Sequence, residues 1–324
     1  MTPKPRNAIG YLVSAIMRIL FTVLLSTIEV FAADPPITSL AFTPDQQSVI
    51  AGSQDGIAVF SWPNLKLERR FDVDMLNVHS LSFSDNGEHL AIGGGNPAET
   101  GIVEVLHWID QKSIGQLSHH EDSVLDVIWL DRKRVLSASL DRGISASEVK
   151  VVDSKSEFLG HSKGVTAICI LNDKRTLISG GVDQSVRVWD VYTGKLVRSL
   201  NQHTGPINDI ARRPLGNGLP IVASAASDRT IRFWQPTIGR MLRYIRLDSP
   251  PQSLVWLPGG ERIAAACADG FVRIIDTIDL EVIESFACID GWAYAIIYHP
   301  DDRTMVVGGS NGTVMSLKEE TFVP

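Results

Sequence analysis

The segment from Gly160 to Gly194 reads GHSKGVTAICILNDKRTLISGGVDQSVRVWDVYTG, a Gly-His pair, two apolar runs, an Asp-bearing turn and a Trp-Asp pair in that order. A unit of this size cannot bury its own apolar face and gains stability only by stacking on copies of itself. The copies are present. One runs from His203 through Ile207, Ser224 and Asp228 to Trp234, and in both units Asp follows Ser by four positions and precedes Trp by six. A third is partial, with His120, Ser137 and Asp141 but Ser147 where Trp belongs.

These spacings resemble the WD40 family, whose repeat of about 40–45 residues folds as one four-stranded propeller blade. The resemblance implies a buried chain of hydrogen bonds from His to Ser to Trp, with Asp holding the His. The sets would be His161, Ser179, Asp183 and Trp189; His203, Ser224, Asp228 and Trp234; and the incomplete His120, Ser137 and Asp141. Buried polar groups are tolerated when each has a partner, so these residues read as structural rather than catalytic or metal-binding.

From Ile37 onward short apolar runs alternate with turn residues, without long helical periodicity. The first blade is expected over Ile37–Phe71, with strands ITSLAF, SVIAGS, GIAVFS and KLERRF. Its first turn, Thr43-Pro44-Asp45, recurs at Ser84–Gly87, Leu130-Asp131, Asn172-Asp173, Arg213-Pro214, Pro258–Gly260 and His299–Asp301, which makes seven. The expected fold is all-β, a seven-bladed propeller of four-stranded antiparallel blades over residues 33–324. Gly93–Gly101 is read as an extended, flexible turn in the second blade. In the seventh blade only Glu320–Pro324 remains for an outer strand, so the ring is expected to close weakly or to accept a strand from a partner.

The formal net charge is −7; without the first 32 residues, which carry Lys4, Arg6, Arg18 and Glu29, 27 basic residues face 36 acidic ones. That balance argues against nucleic acid, whose binding rests on clustered Lys and Arg. Cys169, Cys267 and Cys288 form neither a disulfide framework nor a Cys-x-x-Cys motif and read as small buried hydrophobes. No cofactor or metal is expected.

Ile19–Ile28 is uncharged and apolar, preceded by Arg18 and followed by small residues, which describes a secretory signal over 1–32, with translation starting at Met17. The expectation is therefore export to the periplasm or outside the cell. The run is short for a membrane span. Thr27–Phe31 alternates like a strand, so a second reading makes it the strand that completes the last blade.

Gly308-Gly309-Ser310-Asn311-Gly312 matches a hydrolase nucleophile elbow, but a strand follows it and no His lies beyond Ser310, so it reads as the turn of the repeat. His119-His120-Glu121-Asp122 resembles metal ligands, yet adjacent side chains on a strand face opposite ways. Gly93-Gly94-Gly95 lacks the helix of a phosphate loop.

What remains are the turns ringing the propeller's faces. By position, the end carrying the connections between blades would present Gln54, Glu99, His119, Leu140, Arg142, Arg229, Asp290 and Trp292 to a protein or peptide. The leading expectation is a non-enzymatic interaction scaffold. The alternative is an enzyme or redox partner with a ligand or metal in the central channel, which requires ionisable groups converging there.

Overall fold

In the computed structural model the described residues are 34–151, 155–214 and 218–318, without the side chains of Ser118 and His119. They form seven antiparallel sheets, six of four strands and a seventh of three, each ordered as in the chain. The innermost strands are Ser39–Phe42, Asn77–Phe83, Val124–Trp129, Val165–Ile170, Ile207–Arg212, Pro251–Trp256 and Ala293–His299. Each contacts the next around the ring, and Ala293–His299 returns to Ser39–Phe42. The expected seven-bladed propeller is thus the fold. The leader expected over 1–32, the Thr27–Phe31 strand and Glu320–Pro324 lie outside the described residues.

An isolated blade has no core of its own. The seven apolar clusters each join two neighbouring blades, for example Leu136, Ile144 and Phe158 of the third with Ile168, Leu177 and Trp189 of the fourth, and Ile50 and Ile57 of the first with Val78 and Leu90 of the second. The second strand of each blade is buried on both faces, as in Thr176–Gly181. The fourth faces water, and Lys195–Leu200 is exposed at all but its last residue. Blades converge toward the axis, so side chains of the second strand must shrink inward. One position shows this in all seven blades: Gly52, Gly93, Ala138, Gly180, Ala225, Ala266 and Gly308. A Cβ on Gly180 would lie 2.5 Å from Ile207 Cγ2 of the next blade.

Gly93–Gly95 corrects the sequence reading. It belongs to the strand His89–Asn96 and pairs with Val103, Ile102 and Gly101, leaving a short turn at Pro97–Glu99. The run is glycine because backbone crowds it: a Cβ on Gly94 would lie 1.9 Å from the Asn77 carbonyl oxygen.

The large aromatic of each blade occupies one of two facing positions. In the fourth and fifth blades it is Trp189 or Trp234 on the third strand, level with Ile170 or Arg212 on the first. In the third and sixth the third strand carries Ser147 or Ile275, and the tryptophan is Trp129 or Trp256 on the first strand. Their indole N–H groups donate to the carbonyls of Ser82 (3.0 Å) and Ala211 (3.1 Å) of the preceding blade. The ring closes through Ile37 N–H to the Gly309 carbonyl at 3.0 Å and through Trp62 stacked on His299, with centroids 5.3 Å apart.

Candidate functional site

Three blades carry the polar chain built from the repeat's His, Ser, Asp and Trp. In the fourth, Trp189 Nε1–H donates to Ser179 Oγ at 2.8 Å, Ser179 Oγ lies 2.7 Å from His161 Nε2, and His161 Nδ1 lies 3.0 Å from both Asp183 oxygens. The fifth repeats it: Trp234 to Ser224 at 2.8 Å, Ser224 to His203 at 2.7 Å, His203 to Asp228 at 2.9 Å. The third has His120 at 2.8 Å from both Ser137 and Asp141 and ends there. A serine that accepts from indole donates its own proton to Nε2, so the imidazole is neutral and donates from Nδ1 to the aspartate.

Burial pushes the imidazoles of His161 and His203 below their ordinary value, overriding the raising effect of Asp183 and Asp228. Burial acts to raise the two aspartates, but the hydroxyls of Ser185 and Thr230, the N–H groups of Ser162 and Thr204, and the histidines hold both at about 2. Neutral histidine with ionised aspartate suits a fixed scaffold. The serine hydroxyls of these two sets, Ser179 and Ser224, are fully buried.

The channel brings together groups that sequence reasoning missed. Thr38, His79, Asp126, Thr166, Asn208, Asp209, Gln252 and Tyr294 line a cavity of about 220 Å³. Burial pushes Asp126 up to about 7 and Asp209 up to about 6, against the lowering effect of the N–H groups of Ile168 and Leu254. Both carboxyls keep part of their surface open to the channel, and access to water there moderates the rise.

Each carboxylate is engaged with the neighbouring blade: Asp126 accepts from Ile168 N–H at 2.8 Å and Ser80 Oγ–H at 2.9 Å, and Asp209 from Leu254 N–H at 2.7 Å. Thr166 and Asn208 donate to the carbonyls of Ile207 and Pro251 at 2.7 Å. These side chains stitch inner strands together. Among the described residues no three His, Cys, Asp or Glu side chains gather as a metal site. The signal available in the sequence was an Asp two positions after the first buried apolar residue of an inner strand, in Val124-Leu125-Asp126 and Ile207-Asn208-Asp209.

The antiparallel order places the connections between blades and the turns joining second to third strands at one end of the ring. At that end Gln54, Glu99, Arg142, Arg229, Asp290 and Trp292 are exposed and Leu140 is half-buried; the His119 side chain lies outside the described residues. Trp292 is 48% exposed, with its ring 5.7 Å from that of Tyr294. The Trp292 backbone N–H donates to Ser310 Oγ at 2.9 Å, which fixes the loop that carries it.

Seven blades in a closed ring, three of them locked by a His-Ser-Asp chain, define a propeller built from a repeated structural unit. The sequence profile described as "WD domain, G-beta repeat" matches residues 25–60, 153–190 and 194–235, so WD40 repeats are found at three positions of the chain. It is 26% identical over 241 residues to Protein FIZZY-RELATED 1 of Arabidopsis thaliana, covering 73% of this chain and 50% of that protein. It is 27% identical over 241 residues to B-type cell cycle switch protein ccs52A of Medicago truncatula, with the same coverage of 73% and 50%. Over 209 residues it is 28% identical to Anaphase-promoting complex subunit cdc20 of Dictyostelium discoideum, covering 62% and 41%. The chain spans about half the length of the curated relatives it matches.

These relatives correct the expectation of export to the periplasm or outside the cell. Proteins named for the cell cycle and the anaphase-promoting complex point to the cytoplasm or nucleus instead. The physical source of the misreading is that a short apolar run suits an export core and a propeller strand equally. The profile's second and third matches begin around an outer strand, Lys155–Leu159 or Lys195–Leu200, and continue into the next blade. The first match, 25–60, includes Thr27–Phe31, which lie outside the described residues. Among the described residues no helix is long and apolar enough to cross a membrane.

Proposed function

We propose that residues 33–324 act as a non-enzymatic protein-interaction scaffold that holds a protein or peptide on the end face carrying Trp292. The observation that carries this reading is a half-exposed tryptophan on a hydrogen-bonded loop. Charged turn residues Arg142, Arg229 and Asp290 are exposed at the same end. Aromatic side chains with charged neighbours are the usual anchors of protein interfaces. The relative named as a subunit of the anaphase-promoting complex supports a role in assembly.

The test is affinity capture with the full chain, identifying the bound proteins by mass spectrometry, in parallel with W292A. We expect one or more partners to be retained by the wild type and depleted about tenfold or more by W292A, the scale of an aromatic hot spot, with no change in melting temperature. Equal recovery of every partner by the two proteins overturns the end-face assignment.

A further inference from the structure

In three successive blades an arginine lies four residues after the turn aspartate and pairs with it. Arg187 reaches Asp183 at 3.3 Å, Arg232 reaches Asp228 at 3.7 Å, and Arg273 reaches Asp269 at 2.6 Å. The third blade has the same spacing from Asp141, but the residue there is Ser145. The hydroxyl that supports the aspartate in the fourth and fifth blades, Ser185 or Thr230, is also missing, since Gly143 takes its place. Among the described residues Asp141 pairs with His120 Nδ1 at 2.8 Å and accepts from the N–H groups of Glu121 at 3.1 Å and Gly143 at 2.8 Å. Its side chain is 15% exposed, against 5% for Asp183 and for Asp228.

The space an arginine would fill is open. A pocket of about 190 Å³ lies there, lined by Glu121, Asp141, Ser145, Lys155, Glu157 and Leu159 among others. Ser145, at the position of the missing arginine, is 2% exposed and lines this pocket. Three carboxylates, Glu121, Asp141 and Glu157, meet one lysine, Lys155, which pairs with Glu157 at 2.6 Å. At the mouth Leu159 is 70% exposed and offers an apolar wall to an aliphatic stem. Arg142, the nearest arginine in sequence, turns to the Asp141 backbone carbonyl at 3.3 Å and leaves the carboxylate free of it.

We infer that the third blade carries an arginine-binding slot, in which a guanidinium supplied by a partner protein pairs with Asp141 and Glu157 while its methylenes lie along Leu159. A planar guanidinium satisfies several acceptors at once, as Arg187 does with Asp183, Ser185 and the Gly160 carbonyl in the next blade. The slot deepens the scaffold reading and rests on it: it names the chemistry of one contact at the edge of the same end face.

The probe is a degenerate heptapeptide library with a fixed central arginine, compared with the same library carrying citrulline, which keeps the shape and removes the charge. Bound to the full wild-type chain, the arginine library is retained about tenfold more than the citrulline library, the scale of one charge-assisted hydrogen-bonded pair. S145R supplies the missing side chain from within, so it abolishes that preference while leaving the circular dichroism unchanged and the melting temperature equal or higher. E157Q, at an exposed position, weakens the preference without closing the slot. Equal retention of the two libraries by the wild type, or an arginine preference that survives in a folded S145R, overturns the proposal. W292A separates this slot from the end-face reading: loss of captured partners with arginine preference intact supports both, and loss of the preference in W292A assigns it to another site and removes the slot.

Discussion

Replacing Trp189 by Phe isolates the contribution of the repeat's polar chain. The indole is 1% exposed, and its N–H is the donor that completes Ser179, which in turn holds His161. Phenylalanine keeps most of the apolar contact with Leu177 and Phe158 and removes the donor together with part of the ring. A buried acceptor left without its donor costs about 1–3 kcal/mol, and the lost ring atoms leave a small void worth about 1 kcal/mol more. The sum, about 2–4 kcal/mol, corresponds to a fall in melting temperature of roughly 3–7 °C for a domain of this size. Differential scanning calorimetry gives the shift, with W292F as the control because Trp292 is half-exposed and its hydrogen bond to Ser310 is made by the backbone N–H, which the substitution keeps. If W189F melts within 1–2 °C of W292F, roughly the spread of neutral surface changes, the chain of hydrogen bonds does not lock the blades and the structural assignment of the quartet is wrong.

Two further outcomes follow from geometry and charge. Because Asp126 and Asp209 are raised to about 7 and about 6, the folded state retains protons that the unfolded state has released, so their stabilising effect is present below pH 4 and lost as pH rises through 6–7. The depressed imidazoles of His161 and His203 act oppositely, removing stability as pH falls below the ordinary histidine value near 6.5. The carboxyl contribution to melting temperature should therefore fall from about pH 4 to pH 7 and be flat above, opposing the histidine contribution, and the double variant D126N/D209N should show a steeper rise of melting temperature with pH below 7 than the wild type. G94A should cost about 3 kcal/mol or more, since its Cβ meets the Asn77 carbonyl oxygen at 1.9 Å. G115A, whose Cβ would find Val149 at an ordinary 3.5 Å, should be neutral within about 0.5 kcal/mol by urea denaturation.

The ring was legible because its register is written by turns, and turn chemistry is local. Pro44-Asp45, Asn86-Gly87 and Gly259-Gly260 mark reversals whatever surrounds them. The histidine chains were legible for a similar reason, since Ser, Asp and Trp stand at fixed distances within one blade. The channel was not. Asp126 finds Ser80 and Ile168, 46 and 42 residues away, so its role is set by which blades are neighbours and not by its own repeat. The same limit explains Gly93–Gly95, where glycine signals a turn in sequence but here answers the approach of Asn77 and Met75.

The divergent blades follow one packing rule that the sequence pattern hides. In the third to sixth blades one tryptophan fills the level shared by the first and third strands, and either strand supplies it. When the third strand carries Ser147 or Ile275, Trp129 or Trp256 fills the level from the first strand and ties back to the preceding blade through its N–H. A search for Trp at the end of the third strand therefore counts the third and sixth blades as degenerate although their packing is complete. What the exchange does not restore is the polar rim above it. Sliding the tryptophan inward fills the core of the third and the sixth blade alike, but the sixth keeps Arg273 on Asp269 whereas the third has Ser145 where Asp141 would meet its arginine, so the arginine is lost independently of the tryptophan. A blade can thus lose its signature, keep its apolar core and open a charged slot at its edge, so that a structural repeat differs from its copies at a place a partner can reach.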